Sequence, residues 1–88
     1  MSLDERFNKA ASDAKNLKSR PTDNELLELY AFYKQATIGD CNISRPGVMD
    51  LKAKAKWEAW NGKKGMSQDD AKEAYIKFAN ELTEKYGS

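Results

Sequence analysis

Histidine is absent from these 88 residues, and cysteine occurs once, at Cys41. Together the two scarcities exclude an internal disulfide, a zinc constellation and any imidazole base that would activate a serine or cysteine. Cys41 has no basic group close by in sequence and reads as an incidental loop residue rather than a nucleophile. Sparse cysteine also fits a redox-neutral cytoplasmic setting. No apolar stretch approaches the roughly 20 residues that cross a bilayer, and Met1-Ser2-Leu3-Asp4-Glu5-Arg6 has neither a basic lead nor an apolar run. The expectation is a soluble, unsecreted chain with no stable membrane insertion. An excess of one charge is missing too: 15 basic residues against 14 acidic leave +1, so the overall field does not draw the chain to nucleic acid. Carboxylates are plentiful, but they fall in helix first turns and on polar faces. None is isolated in an apolar setting that would prepare it for acid-base work, and a binding protein is expected rather than an enzyme.

What is present is helical periodicity. Eighty-eight residues suffice for a single domain spanning residues 1–88, with roughly 60 to 65% of the unfolded chain's surface buried and no room for a second core. Ser2-Leu3-Asp4-Glu5 has the form of a capping box, and Leu3, Phe7, Ala11, Ala14 and Leu17 follow at helical spacing. This first helix is expected to fray by Lys18, ahead of Arg20-Pro21. Thr22-Asp23-Asn24-Glu25 repeats the box and opens a second helix whose inward stripe takes in Leu26, Leu29 or Tyr30, Tyr33 and Ala36 or Thr37, ending at Gly39. Gly39 to Met49 lacks periodicity and reads as a loop of about ten residues, with Ile43, Val48 and Met49 anchoring it to the core. A crossover of that length lets the second and third helices run the same way. The third helix is expected from about Asp50 to Trp60 or Asn61. A fourth, capped by Ser67, carries Ala71, Tyr75, Phe78, Leu82 and Tyr86 on one face.

Two clusters suit an anionic, ring-bearing ligand. In the third helix, Lys52-Ala-Lys-Ala-Lys-Trp-Glu-Ala-Trp60 places Ala53, Trp57 and Trp60 on one apolar stripe, with Trp57 expected to be buried. Lys52 and Lys56 stack beside the stripe, and Lys54 points away into solvent. Six basic residues against two acidic between Arg45 and Lys64 give this region a local surplus of +4. On the second helix, Tyr30, Tyr33 and Lys34 stand at i, i+3 and i+4 on one face. A tyrosine ring stacks on a base, its hydroxyl donates to phosphate, and an ammonium adds a charge-assisted contact. Tyr75 on the fourth helix offers a further hydroxyl. The bland alternatives are solvated lysines and tyrosines at the edge of a core.

The run Tyr30-Ala-Phe-Tyr-Lys-Gln-Ala-Thr37, followed by Gly39-Asp40, Arg45-Pro46-Gly47, Lys56-Trp57-Glu58-Ala59-Trp60-Asn61 and Ala74-Tyr75, resembles the acyl-CoA-binding protein family along essentially the whole chain. The resemblance implies an all-α four-helix bundle in an up-down-down-up arrangement, a monomer with no cofactor, and a long-chain fatty acyl-CoA as its non-covalent ligand. It further implies that Tyr33 stacks on adenine and that Tyr30, Lys34 and Lys56 hold the 3′-phosphate. Lys15, Lys52 and Tyr75 would complete the head-group and pantetheine contacts, and Leu27 would line an apolar groove for the acyl chain. Gly62 and Ala53 depart from the usual family pattern without removing a proposed contact. The competing reading of the lysines and aromatics is a nucleic-acid-binding module, against which the near-neutral net charge weighs.

Overall fold

The computed structural model describes residues 1–87, which form α1 (Leu3–Ala14), α2 (Asp23–Thr37), α3 (Leu51–Asn61) and α4 (Gln68–Tyr86), with no strand among the described residues. The helices begin where the caps place them. The Ser2 and Thr22 hydroxyls each accept the N–H three residues on at 3.2 Å. Glu5 and Glu25 return the bond to the Ser2 and Thr22 N–H groups at 3.3 and 2.9 Å. Both are therefore complete capping boxes, in which two orphan donors are satisfied reciprocally. Ser67 caps α4 by accepting the Asp70 N–H at 3.0 Å, and Asp50 caps α3 by accepting the Ala53 N–H at 3.1 Å.

The first helix ends at Ala14, earlier than its apolar spacing suggests. Asn16 is the reason: its side-chain amide takes the Ser12 carbonyl at 3.0 Å, the acceptor that its own N–H would use if the helix continued. Leu17 still packs on the core from the turn beyond. At the other end of α2, Gly39 takes φ +98° just past the Ile38 cap, a backbone conformation that a side chain disfavours.

Helix directions follow from which residues meet. Asp4 pairs with Lys72 and Arg6 with Glu73, while Lys18 N–H reaches Gly87 O, so α1 and α4 run parallel. Glu25 meets Lys85, Phe32 meets Phe78, and Gln68 reaches Ala36, so α2 runs antiparallel to α4. Tyr30 lies beside Lys56 and Lys34 beside Trp60, so α3 runs parallel to α2. The arrangement is up-down-down-up. Phe7, Ala10, Leu29, Ala36, Ala71, Tyr75, Ile76, Ala79 and Leu82 form the core between α1, α2 and α4.

Packed against α2 alone among the helices, α3 buries little of its circumference. Trp60 is 2% exposed, whereas Trp57, expected to be buried, is only half-covered. Lys54, expected in solvent, is half-buried: it stands three residues before Trp57, on the flank where the crossover returns. The crossover itself is not anchored through Ile43, Val48 and Met49, all of which are exposed. Two indoles hold it instead. Trp60 Nε1 donates to the Gly39 carbonyl and Trp57 Nε1 to the Ile43 carbonyl, each at 2.8 Å. Beneath them, the fully buried Gln35 amide donates to Asp40 at 2.9 Å and to the Met66 carbonyl at 2.7 Å. Asp40 also accepts the Gly65 N–H at 2.9 Å, and these two donors, that N–H foremost, hold its carboxyl below the usual range.

These contacts divide the roles of the two tryptophans. Trp60→Ala is expected to cost about 3 to 5 kcal/mol in urea unfolding, as truncations of buried aromatics do. Trp57→Phe should cost only about 0.5 to 1.5 kcal/mol, the net worth of one hydrogen bond. Equal losses would refute the division.

A second prediction concerns acid. Glu25 is held at about 2, below its ordinary 4.5, first by the Tyr86 hydroxyl, then by the Thr22 N–H and by Lys85. A carboxylate depressed in the folded state contributes stability in full above its unfolded value and loses it as pH falls towards the folded one. Wild-type stability should therefore decline between about pH 4.5 and pH 2, and Glu25→Gln should flatten that slope while lowering stability at neutral pH. An unchanged slope would assign acid lability to other carboxylates.

Candidate functional site

Between α1 and α2, whose backbones stay apart, a cavity of about 400 Å³ opens, lined by Ala11, Ala14, Lys15, Leu26, Leu29, Tyr30, Tyr33 and Tyr75. The small side chains of Ala11 and Ala14 leave the space, and Tyr75 of α4 contributes to its wall. A second cavity of about 490 Å³ lies between α2 and α3, lined by Arg20, Asp23, Leu26, Leu27, Tyr30, Lys52, Ala55 and Lys56. Leu26 and Tyr30 belong to both, so the two spaces adjoin across a single helix face.

Aromatic packing fixes the first cavity. The Phe7 ring stacks on Tyr33 with centroids 5.5 Å apart and meets Tyr75 edge-on at 5.1 Å; Tyr33 and Tyr75 are 5.9 Å apart. Tyr33 nevertheless remains 42% exposed, leaving ring surface for a further partner. Tyr75 is buried, and burial, with a smaller contribution from Tyr33, pushes its phenol up to about 12. It stays a neutral hydroxyl at any physiological pH.

The second cavity supplies charge. Lys56 Nζ lies 5.4 Å from the Tyr30 ring centroid, a cation-π contact that aims the ammonium along the cavity wall. Arg20 is paired with Asp23 at 3.0 Å. Among the described residues, Lys15, Lys34, Lys52 and Lys56 have no carboxylate partner, whereas Arg6, Lys9, Arg20, Arg45, Lys63, Lys72 and Lys85 each have one. Unneutralised ammonium groups beside aromatic rings and apolar walls suit an amphipathic anion.

Of the residues singled out in the sequence, Lys15, Tyr30, Tyr33 and Tyr75 line the first cavity, and Leu27, Tyr30, Lys52 and Lys56 the second. Lys34 lines neither; its ammonium rests 4.8 Å over the Trp60 ring. Sequence reasoning missed Arg20, Asp23 and Ala55 as wall residues, and placed Ala11, Ala14, Leu26 and Leu29 on inward helix stripes only. Arg20 drew notice only as the residue before a proline, and Ala55 gave no signal beyond its place between two lysines.

The family model for acyl-CoA-binding protein matches residues 4–79. The chain belongs to the acyl-CoA-binding protein family. A protein from a species of Hypsibius, provisionally named an acyl-CoA-binding protein, is 58% identical over 87 residues, covering 99% of this chain and 98% of that one. The crystal structure of Oryza sativa Acyl-CoA-Binding Protein 2 superposes with a TM-score of 0.91 at 38% identity, over 96% of this chain and 93% of that one. The crystal structure of ACBP from Moniliophthora perniciosa does so with a TM-score of 0.89 at 41% identity, over 100% and 86%. At these identities the likeness extends from fold to family. Members of the acyl-CoA-binding protein family are binding proteins rather than enzymes.

The buried phenol gives this site a testable signature. Tyr75, raised from 10.0 to about 12, contributes stability in full below its unfolded value and loses it as pH rises towards the folded one. Stability should fall from about pH 10 to pH 12 in the wild type and less steeply in Tyr75→Phe, followed by circular dichroism in denaturant. Identical alkaline profiles would place the titrating group elsewhere.

Proposed function

We propose that this chain binds long-chain fatty acyl-CoA esters without chemistry and carries them through the cytoplasm as a single monomeric domain. The observation that carries the reading is the pair of adjoining cavities: aromatic and apolar between α1 and α2, cationic between α2 and α3, sharing Tyr30 and Leu26. One amphipathic ligand with a ring, phosphates and a hydrocarbon tail uses all of these surfaces together. In this reading Tyr33 stacks on adenine through its exposed ring surface, while Tyr30 and Lys56 hold the 3′-phosphate. Lys34 joins them by swinging off the Trp60 face. Lys15, Lys52 and Tyr75 complete the head-group and pantetheine contacts, and Leu27 lines the acyl groove. No cofactor takes part.

The test is calorimetric titration with a long-chain acyl-CoA, free CoA, the free fatty acid and a short oligonucleotide. Preference for the acyl-CoA over each of its halves is expected, because both kinds of wall are then engaged. Comparable affinity for the oligonucleotide, falling steeply with salt, would overturn the reading.

Two substitution series sharpen it. Lys56→Ala should remove a charge-assisted contact of roughly 1.5 to 3 kcal/mol, about 10- to 150-fold in affinity. Lys52→Ala should cost less. Lys54, outside both cavity linings, should matter by no more than about a few tenths of a kcal/mol. Equal losses at Lys54 and Lys56 would mean that binding senses only local positive charge. At Tyr33, removing the ring should cost roughly 1 to 3 kcal/mol of base stacking, and Tyr33→Phe should be milder. Because Tyr33 also stacks on Phe7, Tyr33→Ala will lower stability as well, so Tyr33→Phe is the cleaner variant. If the two reduce affinity equally, the hydroxyl is the contact.

A further inference from the structure

Two lysines cross between α2 and α3 in opposite directions. Lys34 reaches from α2 to the Trp60 ring of α3, its ammonium 4.8 Å from the ring centroid, and Lys56 reaches back from α3 to the Tyr30 ring of α2 at 5.4 Å. On each helix the lysine stands four residues from the ring that receives the other lysine. Parallel helices therefore set the two contacts one turn apart. Chemically they are alike, but their places differ. Tyr30 and Lys56 line the cavity between α2 and α3, whereas Lys34 and Trp60 line neither cavity.

The ring that holds Lys34 is fixed. Trp60 is buried, and its Nε1 donates to the Gly39 carbonyl at 2.8 Å, so the indole has no freedom to follow a ligand. Lys34 is only half-buried, its stem is flexible, and its ammonium has no carboxylate partner among the described residues. An indole face is the best of the aromatic partners for a cation. In the empty protein the ammonium is thus satisfied away from the space beside Tyr30 and Lys56. Lys34 stands a full turn beyond Tyr30, about 6 Å along the helix axis. To meet an anion seated beside Tyr30 and Lys56, its ammonium has to give up the ring.

We infer that Trp60 is an autoinhibitory partner of the ligand site: it holds Lys34 off the phosphate seat, and a bound phosphate recruits the lysine only by displacing it from the indole. A dianionic phosphate is the stronger partner, so the exchange proceeds. The contact it breaks is worth about two- to fivefold in an equilibrium constant. Affinity is lowered by about that factor, because the empty protein spends most of its time with Lys34 on the ring. The same contact assists release, since the ring recaptures the ammonium as the phosphate departs. This inference rests on the acyl-CoA reading, in which Lys34 joins Tyr30 and Lys56 at the 3′-phosphate.

The test weakens the ring's hold on the cation without changing its shape. Trp57→Phe leaves Trp60 as the one tryptophan of the chain, so ring-fluorinated tryptophans can be incorporated there alone. Each fluorine draws electron density from the ring face and leaves the N–H donor in place. Calorimetric affinity for palmitoyl-CoA should rise with the number of fluorines, by about two- to fivefold at the most electron-poor ring, and should not rise in the Lys34→Met variant. A purely structural role for Trp60 would respond alike with and without Lys34. Proton NMR gives a second readout. The Lys34 ε-methylene signal, identified by its loss in Lys34→Met, should lie upfield in the free protein under the indole ring current and return to its ordinary position when palmitoyl-CoA is added. Affinity that stays constant or falls along the fluorine series, a rise that persists in Lys34→Met, or an ε-methylene signal in the same position with and without ligand would overturn the inference. Failure of the unfluorinated protein to bind palmitoyl-CoA would instead overturn the ligand reading, and this inference with it; binding without the fluorine response sinks this inference alone.

Discussion

The parallel run of α2 and α3 is the constraint on which the candidate site depends. Two consecutive helices that point the same way need a connection that travels back along the first. At 15 residues, α2 is about 22 Å long. The segment between Thr37 and Leu51 is long enough to return, but it has no regular structure to satisfy its backbone. Irregular chain of this kind adopts one path only if its polar groups find fixed partners. The indole N–H groups of Trp57 and Trp60 provide two, and the Gln35–Asp40–Gly65 set fixes the start. With the crossover held, α3 lies alongside α2 in the register that sets Lys56 beside Tyr30 and Lys52 near Leu27. An antiparallel α3 would bring the same lysines to the other end of α2.

On the opposite side of α2 the site depends on a gap. Both α1 and α2 pack on α4 rather than closely on each other. Phe7 bridges what separation there is by touching both Tyr33 and Tyr75. That bridge is economical in packing, because one ring braces two others at the end of the cavity while Ala11 and Ala14 leave its wall thin. It also means that Tyr33 serves the fold and the site at once. Substitutions there report on both, and only those that keep the ring separate the two effects.

Much of this organisation is legible in the residues. The capping boxes at Ser2 and Thr22 and the Ser67 cap announce helix starts through short-range chemistry, which tertiary structure leaves intact. The Tyr30–Tyr33–Lys34 face and the alternating lysines are readable because helical spacing alone places them. What escapes is decided by neighbours that periodicity does not reveal. Trp57 and Trp60 share one stripe, yet with a single helical neighbour α3 buries the second and only half-covers the first. Ile43, Val48 and Met49 look like anchors because they are apolar, whereas the crossover is secured by indole N–H groups bonding loop carbonyls. Gln35 lies hidden in a tyrosine-rich motif: a polar residue fully buried between two loops has no hydrophobic signature. Lys34 carries the right spacing, but its ammonium finds the Trp60 ring, a partner 26 residues away in sequence.

Charge is distributed to the same end. Opposite charges are paired where helices must be held together: Asp4 with Lys72 and Arg6 with Glu73 along α1 and α4, Glu25 with Lys85 across α2 and α4. Exposed pairs of this kind contribute little individually, and their value lies as much in removing like-charge conflict as in attraction. The ammonium groups beside the cavities receive no such partners. Lys15, Lys52 and Lys56 stand around walls that are otherwise apolar or aromatic, and the lysine-rich third helix has its one carboxylate, Glu58, committed to Arg45. Unpaired charges of one sign close together raise the energy of the empty fold. In the reading proposed above, a multiply anionic ligand would relieve that repulsion as it binds, so part of its affinity would come from lysines that no carboxylate neutralises.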